Sequence, residues 1–194
     1  PIANCLELAE RLKATFGLDL AEVVPSDETS TSTTIGVAQA ASMEIEKWLR
    51  STEPIVMAVG TGRTLKAAID QLPKMDCPQH RIVSLTGNIT PDGSAAIYNV
   101  IFDLAGRVKA RSFPMPLPVF ASSREERDLL HQQPMIKTTL DLAAQANVTF
   151  LGIGELDDDA PLFVDGFITA AELRALQKSG GVGEIVGWSF DRSG

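Results

Sequence analysis

Hydrophobic and polar positions along the chain follow two alternating periods, which predict alternating helices and strands. Apolar residues at Cys5, Leu8, Leu12 and Phe16 recur at helical spacing, whereas short apolar runs such as residues 55–59 are typical of buried strands. Single helices between strands indicate βαβ units, so the predicted fold class is α/β, with a doubly wound, mostly parallel sheet. In chain order, we expect helices over 3–16, 35–49, 62–71, 94–105, 123–131, 134–146 and 170–178, and strands over 20–24, 55–59, 81–86, 108–113, 148–153 and 184–190.

Two segments interrupt this pattern. The polar stretch "PSDETSTSTT" (residues 25–34) predicts a flexible surface loop that ends in a threonine N-cap. The stretch "FPMPLPVF" (residues 113–120) contains three prolines, which argue against a helix or a central strand. We expect it to be a stiff extended connector that either forms a pocket wall or crosses the surface.

Two helix starts carry capping boxes, in which a hydroxyl accepts a hydrogen bond from the first turn and a glutamate returns one. These pairs are Ser122 with Glu125 and Thr169 with Glu172. They define the predicted starts of the helices over 123–131 and 170–178.

The composition limits the classes of partner. Of the 194 residues, 44% are hydrophobic, which is enough for a sizeable core, yet no run approaches the roughly 18 apolar residues that cross a bilayer. We therefore expect a soluble protein with no membrane partner. The net charge of −8 and the absence of a Lys/Arg stripe argue against direct binding of nucleic acid.

The cysteines and the start of the sequence favour a cytoplasmic protein. The two cysteines, Cys5 and Cys77, lack the spacing of a redox or metal motif. The sequence opens on an amphipathic helix without an initiator methionine or a signal peptide, so we expect an excised segment of a longer protein.

Three strands are followed by glycine-bearing turns that could carry a ligand. In an open parallel sheet, ligands bind beyond the carboxyl ends of the strands. If the three strands are neighbours, their turns face one another across a single crevice. The turns are Gly60-Thr61-Gly62-Arg63-Thr64, Thr86-Gly87-Asn88 and Gly152-Ile153-Gly154-Glu155.

The first turn has the features of an anion cradle. Its glycines permit close backbone approach, and the helix that follows has free N–H groups in its first turn. Thr61 and Thr64 add hydroxyl donors, and Arg63 adds a guanidinium fork that matches a phosphate. The alternative is that the glycines serve only helix packing. The motif is not a Walker loop, because it lacks the Gly-Lys-Ser/Thr sequence. It is not a full dinucleotide fingerprint either, because it lacks the third glycine and the acidic residue at the end of the next strand. We therefore expect no nucleotide cofactor.

Acidic and amide residues near the other turns allow two interpretations. Asn88 and Asp92 could bind sugar hydroxyls, but both are also common turn or capping residues. Glu155 precedes the acidic loop 157–165, whose carboxylates could hold a divalent metal but are more typical of solvated surface charge. We expect no metal site.

No catalytic residue is predicted. His80 lies at the amino end of a strand and His131 lies among polar helix residues, so both are expected to be exposed. The turns after residues 55–59 and 148–153 have no serine between their glycines, so neither is predicted to form a nucleophile elbow.

The ordered set of motifs resembles the sugar-binding effector domain of SorC/DeoR-like bacterial transcriptional regulators, over essentially the whole chain. Residues 180–185, "GGVGEI", look like the family's Gly-Ala-Val-Gly-(Asp/Glu) signature, with Gly181 in place of the usual alanine. The other motifs are "CLELAERLKATFGL", "AEVVP", "VMAVGTGRTLKAAI", "VSLTGN", "VTFLGIGEL" and the remainder of "DGFITAAELRALQKSGGVGEIVGWSFDRSG".

The resemblance implies a Rossmann-like fold related to phosphosugar isomerases and glucosamine-phosphate deaminases (NagB/RpiA/CoA transferase-like), used for binding and not for catalysis. It implies a phosphorylated sugar or polyol as effector, no cofactor and a homodimer or homotetramer. It further implies that operator DNA is bound through an amino-terminal helix-turn-helix domain that lies outside residues 1–194. Family sequences also continue past the position of Gly194 and contribute pocket residues from there.

The resemblance also assigns ligand-binding positions. The first group is the turn Gly60, Thr61, Gly62, Arg63 and Thr64. Further positions are Thr86, Gly87, Asn88, Gly154, Glu155, Glu184 and Asp191. Two alternatives stay open: a phosphosugar isomerase or deaminase that uses Glu155 as its acid/base, and a purely structural oligomerisation domain.

Overall fold

The computed structural model describes residues 2–26, 34–90 and 92–194, which contain eight helices and seven strands. The helices are α1 (Ile2–Phe16), α2 (Thr34–Leu49), α3 (Arg63–Gln71), α4 (Val100–Val108), α5 (Arg124–His131), α6 (Pro134–Ala143), α7 (Pro161–Val164) and α8 (Ala170–Lys178). The strands are β1 (Val56–Val59), β2 (Arg81–Ile89), β3 (Arg111–Pro118), β4 (Val148–Phe150), β5 (Gly154–Glu155), β6 (Gly183–Ile185) and β7 (Trp188–Phe190).

The main sheet is parallel and has the strand order β3-β2-β1-β4. Its central strand β1 is buried on both faces, because successive side chains of a strand point to opposite sides. Met57 and Val59 belong to the core formed with α2, α3 and α4, whereas Val56 and Ala58 pack with Leu142 of α6. Helices therefore cover both faces of the sheet, and the predicted doubly wound α/β class is confirmed.

A second, smaller layer follows the main sheet. Strands β5, β6 and β7 form an antiparallel sheet, and α7 and α8 supply its core. The buried members of that core are Leu156, Ala160, Leu162 and Leu173. The capping box predicted at Thr169 and Glu172 is present at the start of α8.

The predicted connector over 113–120 is instead most of strand β3. Its prolines at 114, 116 and 118 alternate along the strand, and β3 lies at the edge of the sheet. An edge strand tolerates proline where the missing N–H would face away from its neighbour, and the period of two places all three prolines on the same side.

Other predicted boundaries are wrong for local reasons. Residues 20–24 form no strand, and the side chain of Val24 lies against Gly36 of α2. Helix α4 begins at Val100 and not at residue 94, because Thr90, Asp92 and Ser94 form a hydrogen-bonded turn. The predicted loop 25–34 lies mostly outside the described residues.

The strand predicted over 184–190 is a hairpin. Val186 and Gly187 have positive φ values of 55° and 79° and form the two-residue turn between β6 and β7. The strand predicted over 148–153 ends at Phe150, before the chain enters the second sheet. The capping box predicted at Ser122 and Glu125 is absent: Ser123 is the N-cap of α5, and the Glu126 carboxylate accepts hydrogen bonds from Ser122 instead of from the N-cap backbone.

His131 is half-buried and His80 is fully buried, so the prediction that both are exposed is wrong. The Nδ1 of His80 accepts a hydrogen bond from the backbone N–H of Ile55, and its Nε2 donates to the carbonyl of Leu49. The imidazole therefore joins the end of α2 to the start of β1. No helix in the described ranges is long and apolar enough to cross a membrane.

Candidate ligand-binding site

A cavity of about 240 Å³ lies at the carboxyl ends of the parallel strands. The turns that follow β1 and β4 meet there with Thr86 of β2. The predicted turn Thr86-Gly87-Asn88 is instead part of strand β2, so the prediction of a turn at that position is wrong. The α7 segment and the β6–β7 hairpin complete the cavity wall. The predicted site residues that line it are Gly60, Thr61, Gly62, Arg63, Thr64, Thr86, Gly154 and Glu184.

The turn after β1 brings a helix start into the cavity wall. Gly60 donates a backbone hydrogen bond of 2.9 Å to Phe150, which holds the turn beside β4. Gly62 has a φ of 123°, a conformation that strongly favours glycine, and it is the N-cap residue of α3. The N–H groups in the first turn of a helix have no intrahelical acceptor, and glycine offers no side chain to cap them. The first-turn N–H groups of α3 therefore have no side-chain cap. Such a helix start favours an anion or a hydroxyl oxygen.

The Thr61 hydroxyl already has a partner. Its Oγ1 donates a hydrogen bond of 2.9 Å to the backbone carbonyl of Tyr98. Thr61 can therefore only accept a hydrogen bond from a ligand, which differs from the donor role that the sequence suggests. Thr64 is half-buried and lines the cavity, so its hydroxyl is a second one that a ligand in the cavity can contact.

Arg63 is paired with a carboxylate. Its Nη2 lies 3.6 Å from Oδ1 of Asp165, which follows α7 and also lines the cavity. The side chain of Arg63 is 49% exposed, whereas that of Asp165 is 12% exposed. A cavity that is lined by this arginine and this nearly buried aspartate offers donors for a phosphate and acceptors for hydroxyl groups.

Glu184 connects the second sheet to the cavity. Its carboxylate accepts a hydrogen bond of 2.9 Å from the backbone N–H of Gly187 in the hairpin turn. On β5, Gly154 packs against the same carboxylate: a Cβ placed on Gly154 would lie 2.3 Å from Glu184 Oε1. Glycine at position 154 thus makes room for the glutamate side chain.

Packing between β2 and β3 explains why position 87 is a glycine. A Cβ on this residue would lie 2.4 Å from the backbone carbonyl oxygens of both Leu117 and Pro118. The glycine permits the close approach of β3 to β2 where their register shifts.

Five predicted residues lie outside this cavity, namely Gly87, whose packing is described above, and four others. Asn88 borders a small void beside Tyr98, and the side chain of Glu155 is exposed on β5. Asp92 accepts hydrogen bonds from Thr90 and Ser94, which lower the pKa of its carboxyl to about 2. Asp191 accepts hydrogen bonds from Ser193, which likewise lower its pKa.

The structure adds residues that the sequence pattern does not single out. Asp165, Phe167 and Val186 line the cavity from α7, the segment after it and the hairpin turn. The signal available for Asp165 was its place in the acidic loop, which suggested a metal or solvated charge and not an ion pair with Arg63. No group of three His, Cys, Asp or Glu residues that could hold a metal ion occurs in the described ranges.

Comparison with known proteins defines the family. A family model described as "Putative sugar-binding domain" matches residues 1–194. The chain belongs to this family of sugar-binding domains. The match agrees with the resemblance drawn from the sequence motifs, and the regulators below carry the domain within longer chains.

Two curated relatives of the sugar-binding domain are named as regulators. It is 31% identical over 193 residues to the erythritol catabolism regulatory protein EryD of Brucella abortus (strain 2308), which covers 100% of this chain and 61% of that protein. It is 28% identical over 196 residues to the transcriptional regulator LsrR of Klebsiella pneumoniae, with coverages of 98% and 57%. The chain therefore spans less than two thirds of the length of these relatives.

Solved structures share the fold of the sugar-binding domain. A DeoR family transcriptional regulator from Listeria monocytogenes superposes with a TM-score of 0.83 at 19% identity, covering 97% of this chain and 74% of that one. The full-length sorbitol operon regulator SorC from Klebsiella pneumoniae superposes with a TM-score of 0.78 at 23% identity, covering 97% and 62%. These similarities support the Rossmann-like arrangement of the main sheet.

Proposed function

We propose that this sugar-binding domain is the effector-binding part of a sugar-responsive bacterial transcriptional regulator. The observation that carries the proposal is the cavity in which the start of α3, Arg63 and Asp165 meet at the carboxyl ends of the parallel strands. This is the position where open α/β sheets bind ligands. The membership in a family of sugar-binding domains supplies the ligand class.

The proposed ligand is a phosphorylated sugar or a polyol. The N–H groups of α3 and the Arg63 guanidinium suit a phosphate, and the carboxylates of Asp165 and Glu184 suit hydroxyl groups. A volume of about 240 Å³ favours a short carbon chain. The relative from Brucella abortus is named for erythritol catabolism, so erythritol and its phosphates are the compounds to test first.

DNA binding is proposed to reside outside residues 1–194. The net charge of −8 opposes contact between this domain and a phosphate backbone. We assign operator binding to an amino-terminal helix-turn-helix domain and further pocket residues to a carboxyl-terminal continuation. The same proposal places the protein in the cytoplasm.

We propose that the domain senses its ligand without converting it. Glu155, which an isomerase or deaminase of this fold would use as its acid/base, has an exposed side chain and does not line the cavity. Isomerase activity that disappears in Glu155→Gln would contradict this proposal.

A homodimer or homotetramer is proposed to form through α1. Leu6, Leu12 and Phe16 of this helix are 65%, 39% and 68% exposed. Helix α1 contains two acidic and two basic residues, so it has no net charge in a chain of net charge −8. A second copy of α1 can therefore pack on this face without net charge repulsion between the two helices.

A thermal-shift screen tests the ligand class. Erythritol, erythritol 4-phosphate, other polyols, sugars, sugar phosphates and nucleotides are compared for a rise in Tm that grows with ligand concentration. We expect a sugar, a polyol or one of their phosphates to raise Tm, and Thr64→Ala to reduce the rise. Stabilisation by a nucleotide alone would overturn the proposal.

A further inference from the structure

A second cavity, of about 500 Å³, lies between the end of β3, helix α5 and the β6–β7 hairpin. Its volume falls within the range of roughly 300–1,000 Å³ that is usual for small-molecule sites. It adjoins the cavity of about 240 Å³ at the strand ends, which we call the sugar cavity. Both cavities are lined by Thr86, Val119, Val186 and Gly187. Arg63 and Asp165 line only the sugar cavity, so the two spaces have different charged groups.

The ionisable side chains that line the second cavity are all basic. Arg124, Arg127 and His131 line it from positions i, i+3 and i+7 of α5, which lie on one face of a helix. No aspartate or glutamate of the described residues lines this cavity, although the chain contains 25 of them. An all-basic lining in an acidic protein favours an anionic ligand.

One of the two arginines is available for a ligand. Arg127 contacts the Asp128 carboxylate at 2.7 Å and lies with its guanidinium carbon 5.7 Å from the centre of the Trp188 ring. Arg124 has an exposed side chain, and no carboxylate among the residues that the structure describes forms an ion pair with it. A ligand anion at Arg124 would therefore not have to displace an existing partner.

The rest of the cavity is apolar. Met115 and Leu117 of β3 are buried and pack with Leu130 and Leu140 of α5 and α6. Trp188 of β7 also lines the cavity, and the residue is 59% exposed. Such a surface gains free energy when it covers an apolar group.

We propose that this cavity is a second binding site, for an organic anion that carries its charged group on an apolar body. The apolar body packs between Met115, Leu117 and Trp188. The anionic group, a phosphate, sulfonate or carboxylate, binds Arg124, while Arg127 keeps its contacts with Asp128 and Trp188. The site goes beyond the proposed sugar-sensing function, because it needs neither Arg63 nor the start of α3.

Trp188 reports directly on this site. The chain contains two tryptophans, so Trp48→Phe leaves Trp188 as the single tryptophan, which is excited selectively at wavelengths that the one tyrosine does not absorb. In that background, Trp188 emission is titrated with phenyl phosphate, with inorganic phosphate as the anion without a body and with benzyl alcohol as the body without a charge. We expect a saturable change with phenyl phosphate at a concentration at least about tenfold lower than with either control, a difference of about 1.4 kcal/mol.

Charge-matched variants locate the anion. Arg124→Gln is expected to weaken phenyl phosphate binding about tenfold, as the loss of one charge-assisted contact predicts. Arg174→Gln removes the same charge from the exposed face of α8, which lines neither cavity, and Arg63→Gln removes it from the sugar cavity. Both controls should leave the titration unchanged.

Two results would overturn the proposal. One is equal binding of phenyl phosphate and inorganic phosphate, which would remove the role of the apolar floor. The other is a loss of binding in Arg63→Gln with none in Arg124→Gln, which would place the anion in the sugar cavity. A failed sugar screen does not affect the Trp188 titration, so the two proposals fail separately.

Discussion

Arg63 and Asp165 form an ion pair of 3.6 Å between the first residue of α3 and the residue that follows α7. The pair joins the main sheet layer to the second, smaller layer at the cavity wall. An anionic ligand that binds the guanidinium has to share it with the Asp165 carboxylate. The pair therefore influences the relative affinity of the cavity for anionic and neutral ligands.

Opposite effects are expected from the two members of this pair. Arg63→Gln should weaken the binding of a phosphorylated ligand by about 10- to 100-fold, because a charge-assisted contact is lost. Asp165→Asn should strengthen it several-fold, because the competing carboxylate becomes neutral. Calorimetric titration measures both, with Arg174→Gln as the charge-matched control. A loss of affinity for a neutral polyol equal to that for its phosphate in Arg63→Gln would contradict the assignment of Arg63 to the phosphate.

Gly154 is predicted to accept no side chain. Gly154→Ala places a methyl group 2.3 Å from Glu184 Oε1, so the glutamate must leave its position under the hairpin. We expect a loss of about 1–3 kcal/mol in the free energy of unfolding, measured with urea. Gly106→Ala is the matched control: no atom lies within 4 Å of its Cβ, and alanine in a helix gains about 0.5–1 kcal/mol.

A double-mutant cycle identifies the cause of that loss. In Glu184→Ala the carboxylate is absent, so Gly154→Ala should then cost much less than in the natural sequence. Equal costs in both backgrounds would show that the methyl group conflicts with the backbone and not with Glu184.

Val186 is expected to store backbone strain. It is a β-branched residue with a φ of 55° at the first central position of a two-residue hairpin turn, where asparagine before glycine is preferred. Val186→Asn should therefore raise the free energy of unfolding by about 1 kcal/mol. Val182→Asn makes the same exchange at a half-exposed valine without positive φ, and it should not stabilise the protein. Equal effects of the two variants would argue against strain.

Asp92 gives a defined pH dependence. The hydroxyl of Thr90 and then the hydroxyl and N–H of Ser94 lower the pKa of Asp92 from 3.8 to about 2. Because the folded-state pKa is depressed, the stabilisation is present above pH 3.8 and is lost as the pH falls through about 2. The difference in urea midpoint between the natural protein and Asp92→Asn should shrink over this interval. A constant difference would mean that the charge of Asp92 does not stabilise the turn.

The proposed α1 interface predicts a change in mass. Leu6→Glu places a charge on the exposed apolar face of α1, so we expect the molar mass from light scattering to fall to that of a smaller assembly. Leu129→Glu on α5 is the matched control, since Leu129 is 62% exposed and Leu6 is 65% exposed. An unchanged mass in Leu6→Glu would remove α1 from the interface.

Local chemistry in the sequence predicted the elements whose signals are short-range. The fold class follows from buried strand runs such as residues 55–59 between helical periods. The cap at Thr169 and Glu172 is a reciprocal pair three residues apart, so it needs no tertiary information. The turn Gly60 to Thr64 was placed at the cavity for the same reason, because it joins a buried strand directly to a helix.

Features that depend on distant partners were missed. The ion pair of Arg63 with Asp165 spans about half of the chain, and the use of the Thr61 hydroxyl depends on the backbone of Tyr98. The burial of His80 follows from the approach of α2 to the start of β1. The ligand-binding roles of Asn88, Asp92, Glu155 and Asp191 stay predictions that the cavity at the helix start of α3 does not require.

The prolines of edge strand β3 limit the pairing of the main sheet with strands of other molecules. The three prolines of β3 present carbonyl groups but no N–H groups on the side of the strand where Ser112 alone keeps its N–H. A strand from another molecule would find most of the donors on that side missing, so this border resists edge-to-edge aggregation. Any growth of the main sheet is thereby directed to the opposite border, beside β4.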